Sequence, residues 1–231
     1  MLPNQSHLFS LPTDITYLNC AYMSPMLKSV AEVGNSAIIT KNDPTQIEPR
    51  HFFENPENLR AEFAKLIEVA DPNHCAVIPS VSYAIANVAK NLSAGPGDNI
   101  VVLEEQFPSN IYSWRALSEE KGCEISTVMV PDKQNNRGQV WNHRVLEAIN
   151  TNTKMVAICH SHWADGTLFD LKAIRERTRE VGALLVIDGT QSIGALPFSV
   201  KDIQPDMVVA AGYKWLLGPY SIGVAYYGEY F

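Results

Sequence analysis

The chain has 231 residues, 18 of them basic and 25 acidic, for a formal charge of -7. At about 150 residues per domain, that length predicts one large domain or one and a half, with volume for a full core. A hydrophobic content of 46% with 19% charged residues excludes disordered and fibrous classes, and the acidic balance without a Lys/Arg run argues against binding a nucleic-acid backbone.

In chain order, residues 16–19 (TYLN) read as a short extended piece, and 56–69 as a helix entered through Pro56 near its first turn. The stretch 42–55 between them carries no assignable pattern. From residue 74 onward, short apolar runs alternate with helical periods. Residues 74–79 predict a strand, and 82–92 a helix with Ala84, Ile85, Val88 and Leu92 on one face. Gly95-Pro-Gly-Asp98 is a turn. Residues 99–104 are a second strand, followed by a helix over 109–121 that Ser109 caps and Gly122 stops. Residues 123–130 are a third strand, 131–139 a polar loop, and a short helix follows from Asn142. A strand over 154–159, a helix over 171–181 ending at Gly182, and a strand over 183–188 come next. Residues 207–211 and 222–227 close the series.

These strands are continuous apolar runs rather than alternating ones, as expected where helices cover both faces of a sheet. Strand–helix alternation at this pitch means βαβ units, so the fold class is α/β, a mostly parallel sheet sandwiched by helices. Ligands in such sheets bind beyond the carboxyl ends of the strands. The last apolar strand is followed only by a GEYF tail, which predicts a flank of the sheet without a covering helix.

No G-x-G-x-x-G or Walker sequence follows any strand, which disfavours a dinucleotide or nucleoside-triphosphate site. Polar residues do stand at strand ends. Asp188 closes the run Ala-Leu-Leu-Val-Ile, where a carboxylate is costly unless a cation meets it. It serves there either as a helix cap or Arg partner, or as the partner of a protonated ring nitrogen. Lys214 follows the strand over 207–211 among apolar and aromatic neighbours. It is either a snorkelling surface lysine or a desolvated amine made nucleophilic by a lowered pKa. Ser80-Val81-Ser82 enters a helix, where hydroxyls and free N–H groups cap the helix or hold a phosphate. Phe107, before Pro108, is either core or a ring able to stack on a planar cofactor. His160 and His162 share one face of a strand end, but no further ligand lies at a familiar metal spacing, so no metal is expected.

The longest apolar stretches, such as 183–187, fall far short of the roughly 20 residues of a membrane span, and the opening MLPNQSHLFS lacks the order of a secretory signal. Four cysteines (Cys20, Cys75, Cys123 and Cys159) lie far apart without a C-x-x-C pair, which fits a reducing compartment. The expectation is a soluble cytoplasmic protein with no membrane and no nucleic-acid partner.

Taken together, Ser80 to Ala89, Glu105-Gln-Phe-Pro-Ser109, Asp188-Gly-Thr-Gln191 and Gly212-Tyr-Lys-Trp-Leu-Leu-Gly-Pro219 resemble the class V aminotransferase family. Its members are fold-type I enzymes that use pyridoxal 5'-phosphate (PLP), among them cysteine desulfurases, kynureninases and isopenicillin-N-epimerase-like proteins. Tyr17-Leu-Asn-Cys-Ala21 looks like the family's first strand. The resemblance implies that Lys214 forms a Schiff base with PLP and shuttles the Cα proton. It implies that Asp188 binds the pyridinium nitrogen, that Gln191 bonds the phenolic oxygen, and that Phe107 stacks on the ring where many relatives carry His. Ser80, Val81 and Ser82 would hold the phosphate, Tyr213 would add its hydroxyl, and His162 would stand near the phenolic oxygen. Two positions depart from the family: the phosphate turn is Ser80-Val81-Ser82 rather than Gly-Thr-Thr, and Tyr213 precedes the lysine where His is common.

The implied domains are an N-terminal arm over 1–22 and a PLP-binding large domain over 23–231, without the C-terminal small domain that carries the carboxylate-binding arginine. The implied activity is a PLP-dependent reaction on an amino acid, by transamination, epimerisation or C–S/C–C lyase chemistry, in a homodimer. The alternatives are a truncated, catalytically silent PLP-binding or dimerising fragment, and a nucleotide-binding doubly wound domain.

Overall fold

The structure is a computed structural model that describes residues 3–132 and 135–231. Apolar strands buried on both faces need helices above and below, and the chain supplies them. Among the described residues the strands are β1 (Cys75–Ile78), β2 (Asn99–Leu103), β3 (Glu124–Val128), β4 (Thr153–Cys159), β5 (Leu184–Asp188), β6 (Met207–Ala211) and β7 (Gly223–Tyr227). They form one sheet in the order β1-β7-β6-β5-β4-β2-β3. β3, β2, β4, β5 and β6 run parallel, whereas β7 runs antiparallel to both of its neighbours, β1 and β6.

The helices are α1 (Lys28–Thr40), α2 (Glu54–Leu66), α3 (Val81–Asn91), α4 (Tyr112–Lys121), α5 (Arg137–Ala148), α6 (Leu171–Val181) and α7 (Val200–Ile203). α2, α5, α6 and α7 cover one face, packing Phe63, Trp141, Ile174 and Ile203 on Val101, Ile158, Ile187 and Val208. α3 and α4 cover the other, packing Ile85, Val88 and Trp114 on Val102, Ala157, Val186 and Val209. Trp114 and Trp141 are both fully buried, and each indole N–H has a partner: Asn110 Oδ1 at 3.1 Å and the Val128 carbonyl at 3.3 Å. α6 stops at Gly182 and α4 at Gly122, both in the left-handed conformation that glycine takes without penalty.

The expected elements from 74 onward are present, with shifted edges and some corrections. Ser109 does not cap α4. It lies inside a separate turn, Pro108–Asn110, and the helix starts at Tyr112 without a side-chain cap. α5 begins at Arg137, ahead of the expected Asn142; of the polar loop over 131–139, Lys133 and Gln134 lie outside the described residues. α2 begins two residues before Pro56, which occupies its third position, where a missing N–H leaves no helical bond unmade. Residues 16–19 pair with no strand, so the expected first strand is absent and β1 opens the sheet. The stretch 42–55 holds two short 3-10 turns, Pro44–Gln46 and Pro49–Phe52. Helix α1 buries none of its residues, and for that reason leaves no core stripe to read in the sequence. Met1 and Leu2 of the expected arm are outside the described residues. No described helix is long and apolar enough to cross a membrane.

Candidate active site

Parallel pairing puts the carboxyl ends of β4, β5 and β6 side by side: Cys159 pairs with Asp188, and Asp188 with Val209. Beyond these ends lies a cleft of about 190 Å³, floored by Cys159, Asp188 and Ala211 and closed by Lys214 and the entry to α3. The placement agrees with the rule for sheets of this kind.

Asp188 ends β5 and is 6% exposed; its Oδ1 accepts the Thr190 N–H at 3.0 Å. Burial holds its carboxyl above the usual carboxylate range, against the opposing effects of the Thr190 hydrogen bonds and the Lys214 charge. Lys214 is 5% exposed and lies three residues beyond the end of β6. Its Nζ stands 5.3 Å from the centroid of the Phe107 ring and 5.8 Å from that of Tyr213. Burial lowers its pKa, and the Asp188 carboxylate only partly restores it. A buried lysine and a buried carboxyl group thus share one cleft, each pushed by burial towards its neutral form.

The lysine loop is held from two sides. The Gly218 N–H donates to the Gly212 carbonyl at 2.8 Å, and a Cβ on Gly212 would stand 2.6 Å from the Ile222 carbonyl oxygen, so only glycine fits there. From the N-terminal segment, the Ser24 N–H donates to the Tyr213 carbonyl at 3.1 Å and its Oγ to the Lys214 carbonyl at 2.5 Å. Gln191 lines the cleft and ties in the same segment. Its Nε2 donates to the Ala21 carbonyl at 2.9 Å, while its Oε1 accepts Trp215 Nε1–H at 3.2 Å.

Ser80 caps α3, its Oγ accepting the Tyr83 N–H at 3.2 Å, and it borders the cleft with Val81 and Ser82. Phe107 and Tyr213 line it as well.

His162 does not. It is 2% exposed and faces the α5 side of the sheet, with its ring 4.9 Å from Trp141, Nε2 3.2 Å from the Glu105 carbonyl and Nδ1 3.3 Å from Asp165 Oδ1. Neighbours in extended chain alternate sides, and the bridge between Ser161 and Leu168 sets the parity so that Ser161 and Trp163 face the cleft instead. Trp163, Tyr220 and Ser221 also line the cleft and lie outside the motifs read in the sequence; Gln106, within the Glu105–Ser109 motif, lines it with no role assigned from the sequence. Gln106 is buried, donates from Nε2 to the Ala157 carbonyl at 2.8 Å and leaves its Oε1 without a partner. Trp163 and Tyr220 are aromatic yet 47% and 66% exposed, which only the folded chain reveals.

The family model for aminotransferase class V matches residues 47–230. The chain is 35% identical over 173 residues to the uncharacterized aminotransferase YcbU of Bacillus subtilis (strain 168), a match covering 75% of this chain and 44% of that protein. It is 31% identical to a cysteine desulfurase of Pectobacterium atrosepticum, over 74% of this chain and 41% of the relative. The matched part therefore spans less than half the length of either relative. Among solved structures, a C-DES mutant with glycine covalently linked to its PLP cofactor superposes with a TM-score of 0.85 at 20% identity, over 98% of this chain and 60% of that one. The apo cysteine desulfurase from Thermococcus onnurineus NA1 gives 0.82 at 21% identity, over 97% and 56%. At these identities the superpositions establish the fold, and the family match rests on sequence. The chain belongs to the class V aminotransferase family.

Proposed function

We propose that this chain is the PLP-binding large domain of an enzyme acting on an amino acid, with PLP bound covalently at Lys214. One observation carries the reading: a buried lysine of lowered pKa and a buried carboxylate of raised pKa face one cleft at the carboxyl ends of the strands. The residues fit PLP on their own chemistry. Asp188 lacks a full counter-charge and would be relieved by a protonated ring nitrogen. The free N–H groups at the start of α3, with the Ser82 hydroxyl, suit a phosphate. Phe107 offers a ring face beside Lys214 Nζ.

When bound, PLP supplies an aldehyde that captures amines and a ring that draws electrons from the substrate's α-carbon. The chain's residues do the rest. Lys214, its proton loosened by burial, acts as nucleophile and then as the base positioned for the α-proton. Asp188 holds a proton on the ring nitrogen. Tyr213 and Gln191 supply polar groups at the cleft wall, Gln191 with one amide hydrogen already bound to Ala21. These roles serve transamination, epimerisation and C–S or C–C lyase chemistry alike.

A homodimer belongs to the same reading. α1 buries none of its residues and carries Val33, Ile38 and Ile39 at 70%, 72% and 65% exposure, apolar side chains with no cover in the single chain. Sedimentation of a stable monomer at micromolar concentration would exclude it. For PLP itself, the test is the absorbance spectrum with PLP before and after borohydride, followed by peptide mapping. The expected result is a visible band that reduction bleaches and a pyridoxyl mass on Lys214. Lys214→Ala should lose that adduct; an adduct retained in this variant would overturn the assignment.

A further inference from the structure

Once the floor, the lysine and the α3 entry are assigned to the cofactor, the mouth of the cleft remains. It is walled by aromatic rings. Phe107 and Trp163 meet edge to face, with centroids 5.6 Å apart and planes at 81°. Tyr213 and Tyr220 form a second pair at 4.5 Å and 38°. All four line the same cleft, and Trp163 and Tyr220 remain 47% and 66% exposed, so the rings present a surface rather than fill a core. An exposed aromatic cluster at a ligand cleft is a recognition surface until something else explains it.

The Phe107–Trp163 wall is fixed in place. Trp163 Nε1 donates to the Glu105 carbonyl at 2.7 Å, and the same oxygen stands 3.2 Å from His162 Nε2. Glu105 adopts φ 53°, a left-handed conformation uncommon for a residue with a side chain. Beneath it, His162 Nδ1 lies 3.3 Å from Asp165, whose other oxygen is 2.8 Å from Arg137 Nη1. His162 therefore supports the wall from behind, and the strained Glu105 turn aims Phe107 and Trp163 at the cleft.

We propose that the cleft mouth selects an amino acid with an aromatic or comparably broad planar side chain, stacked against Trp163 and Tyr220. The proposal rests on the PLP reading above and refines its substrate.

The test uses the PLP-loaded chain. The pyridoxyl adduct on Lys214 is quantified by mass after borohydride in one aliquot, and binding of L-phenylalanine and of L-alanine is titrated in another by the visible band and by tryptophan fluorescence. L-Phenylalanine should bind at least tenfold more tightly, about 1.4 kcal/mol, and Trp163→Ala should cut that preference to threefold or less. Trp163→Phe, which keeps a ring but loses the N–H to Glu105, should keep part of it. Tyr220→Ala, at a position 66% exposed, gives a second reading of the wall. An adduct present with equal affinities, or a preference that survives both alanine variants, overturns the proposal and leaves the PLP reading standing. No adduct in the unaltered chain overturns both.

Discussion

Replacing Asp188 by Asn tests the central electrostatic argument, because it separates what the site costs from what it does. In the cofactor-free chain Asp188 is 6% exposed, and burial raises its pKa despite the Thr190 hydrogen bonds and the Lys214 charge. A carboxylate whose folded pKa lies above its unfolded one stabilises the fold only in its protonated form. That contribution is complete below the unfolded value and is lost as pH rises through the folded one. At neutral pH, where the unfolded chain's carboxyl is ionised, the buried group is therefore a net burden. Asn has the same shape, and its Oδ1 can still accept the Thr190 N–H found at 3.0 Å. The gain should be on the order of 1–3 kcal/mol, the range for a buried polar group left incompletely paired. For a chain of this size that is a rise in Tm of about 2–4 °C per kcal/mol. Thermal melts of both proteins without PLP, from pH 5 to pH 8, should show the Asn variant ahead at pH 8 with the gap narrowing as pH falls. Saturating PLP should stabilise the parent more than the variant, since only the parent offers a charge to the ring nitrogen. An Asn variant less stable than the parent without PLP at pH 8 would refute the claim that the carboxylate is held there at a cost.

Two further substitutions test the frame around the site. Ser221 lines the cleft with φ 63°, so Ser221→Gly should relieve the left-handed strain, offset by the greater freedom of glycine in the unfolded chain, for a net gain of about 0.5–1 kcal/mol in urea denaturation; a loss of stability would mean that the Ser221 side chain holds the loop. Trp141→Ala removes a fully buried ring that packs on His162 at 4.9 Å and Phe169 at 5.4 Å, and should cost about 3–5 kcal/mol. A loss under about 1.5 kcal/mol would show that the α5 face closes over the space and does not brace His162.

Much of this architecture is local in origin. β2, β4, β5 and β6 are legible because strands buried on both faces need unbroken apolar runs, and α6 because its apolar stripe ends at a glycine in the left-handed conformation. Asp188, Lys214, Phe107 and the Ser80–Ser82 turn were legible for the same reason. Each lies at a strand end, and parallel strands bring their carboxyl ends together whatever their order in the sheet.

Other features depend on pairings between distant residues, which no local pattern encodes. β7 enters the sheet antiparallel between β1 and β6 and thereby fixes the edge beside α3. Ala21 meets Gln191 across 170 residues of sequence and Ser24 meets the lysine loop across 190, through hydrogen bonds that only the folded chain brings within range. The exchange of His162 for Trp163 at the cleft is one step of strand parity, set by the bridge from Ser161 to Leu168. Side chains in extended chain alternate faces, so a single residue of register decides which ring lines the cleft and which lies behind it. Apolar runs ending in polar residues determined that Asp188, Lys214 and the Ser80–Ser82 turn stand at or beyond strand ends; the tertiary pairings decided which other side chains stand at the mouth of the cleft they form.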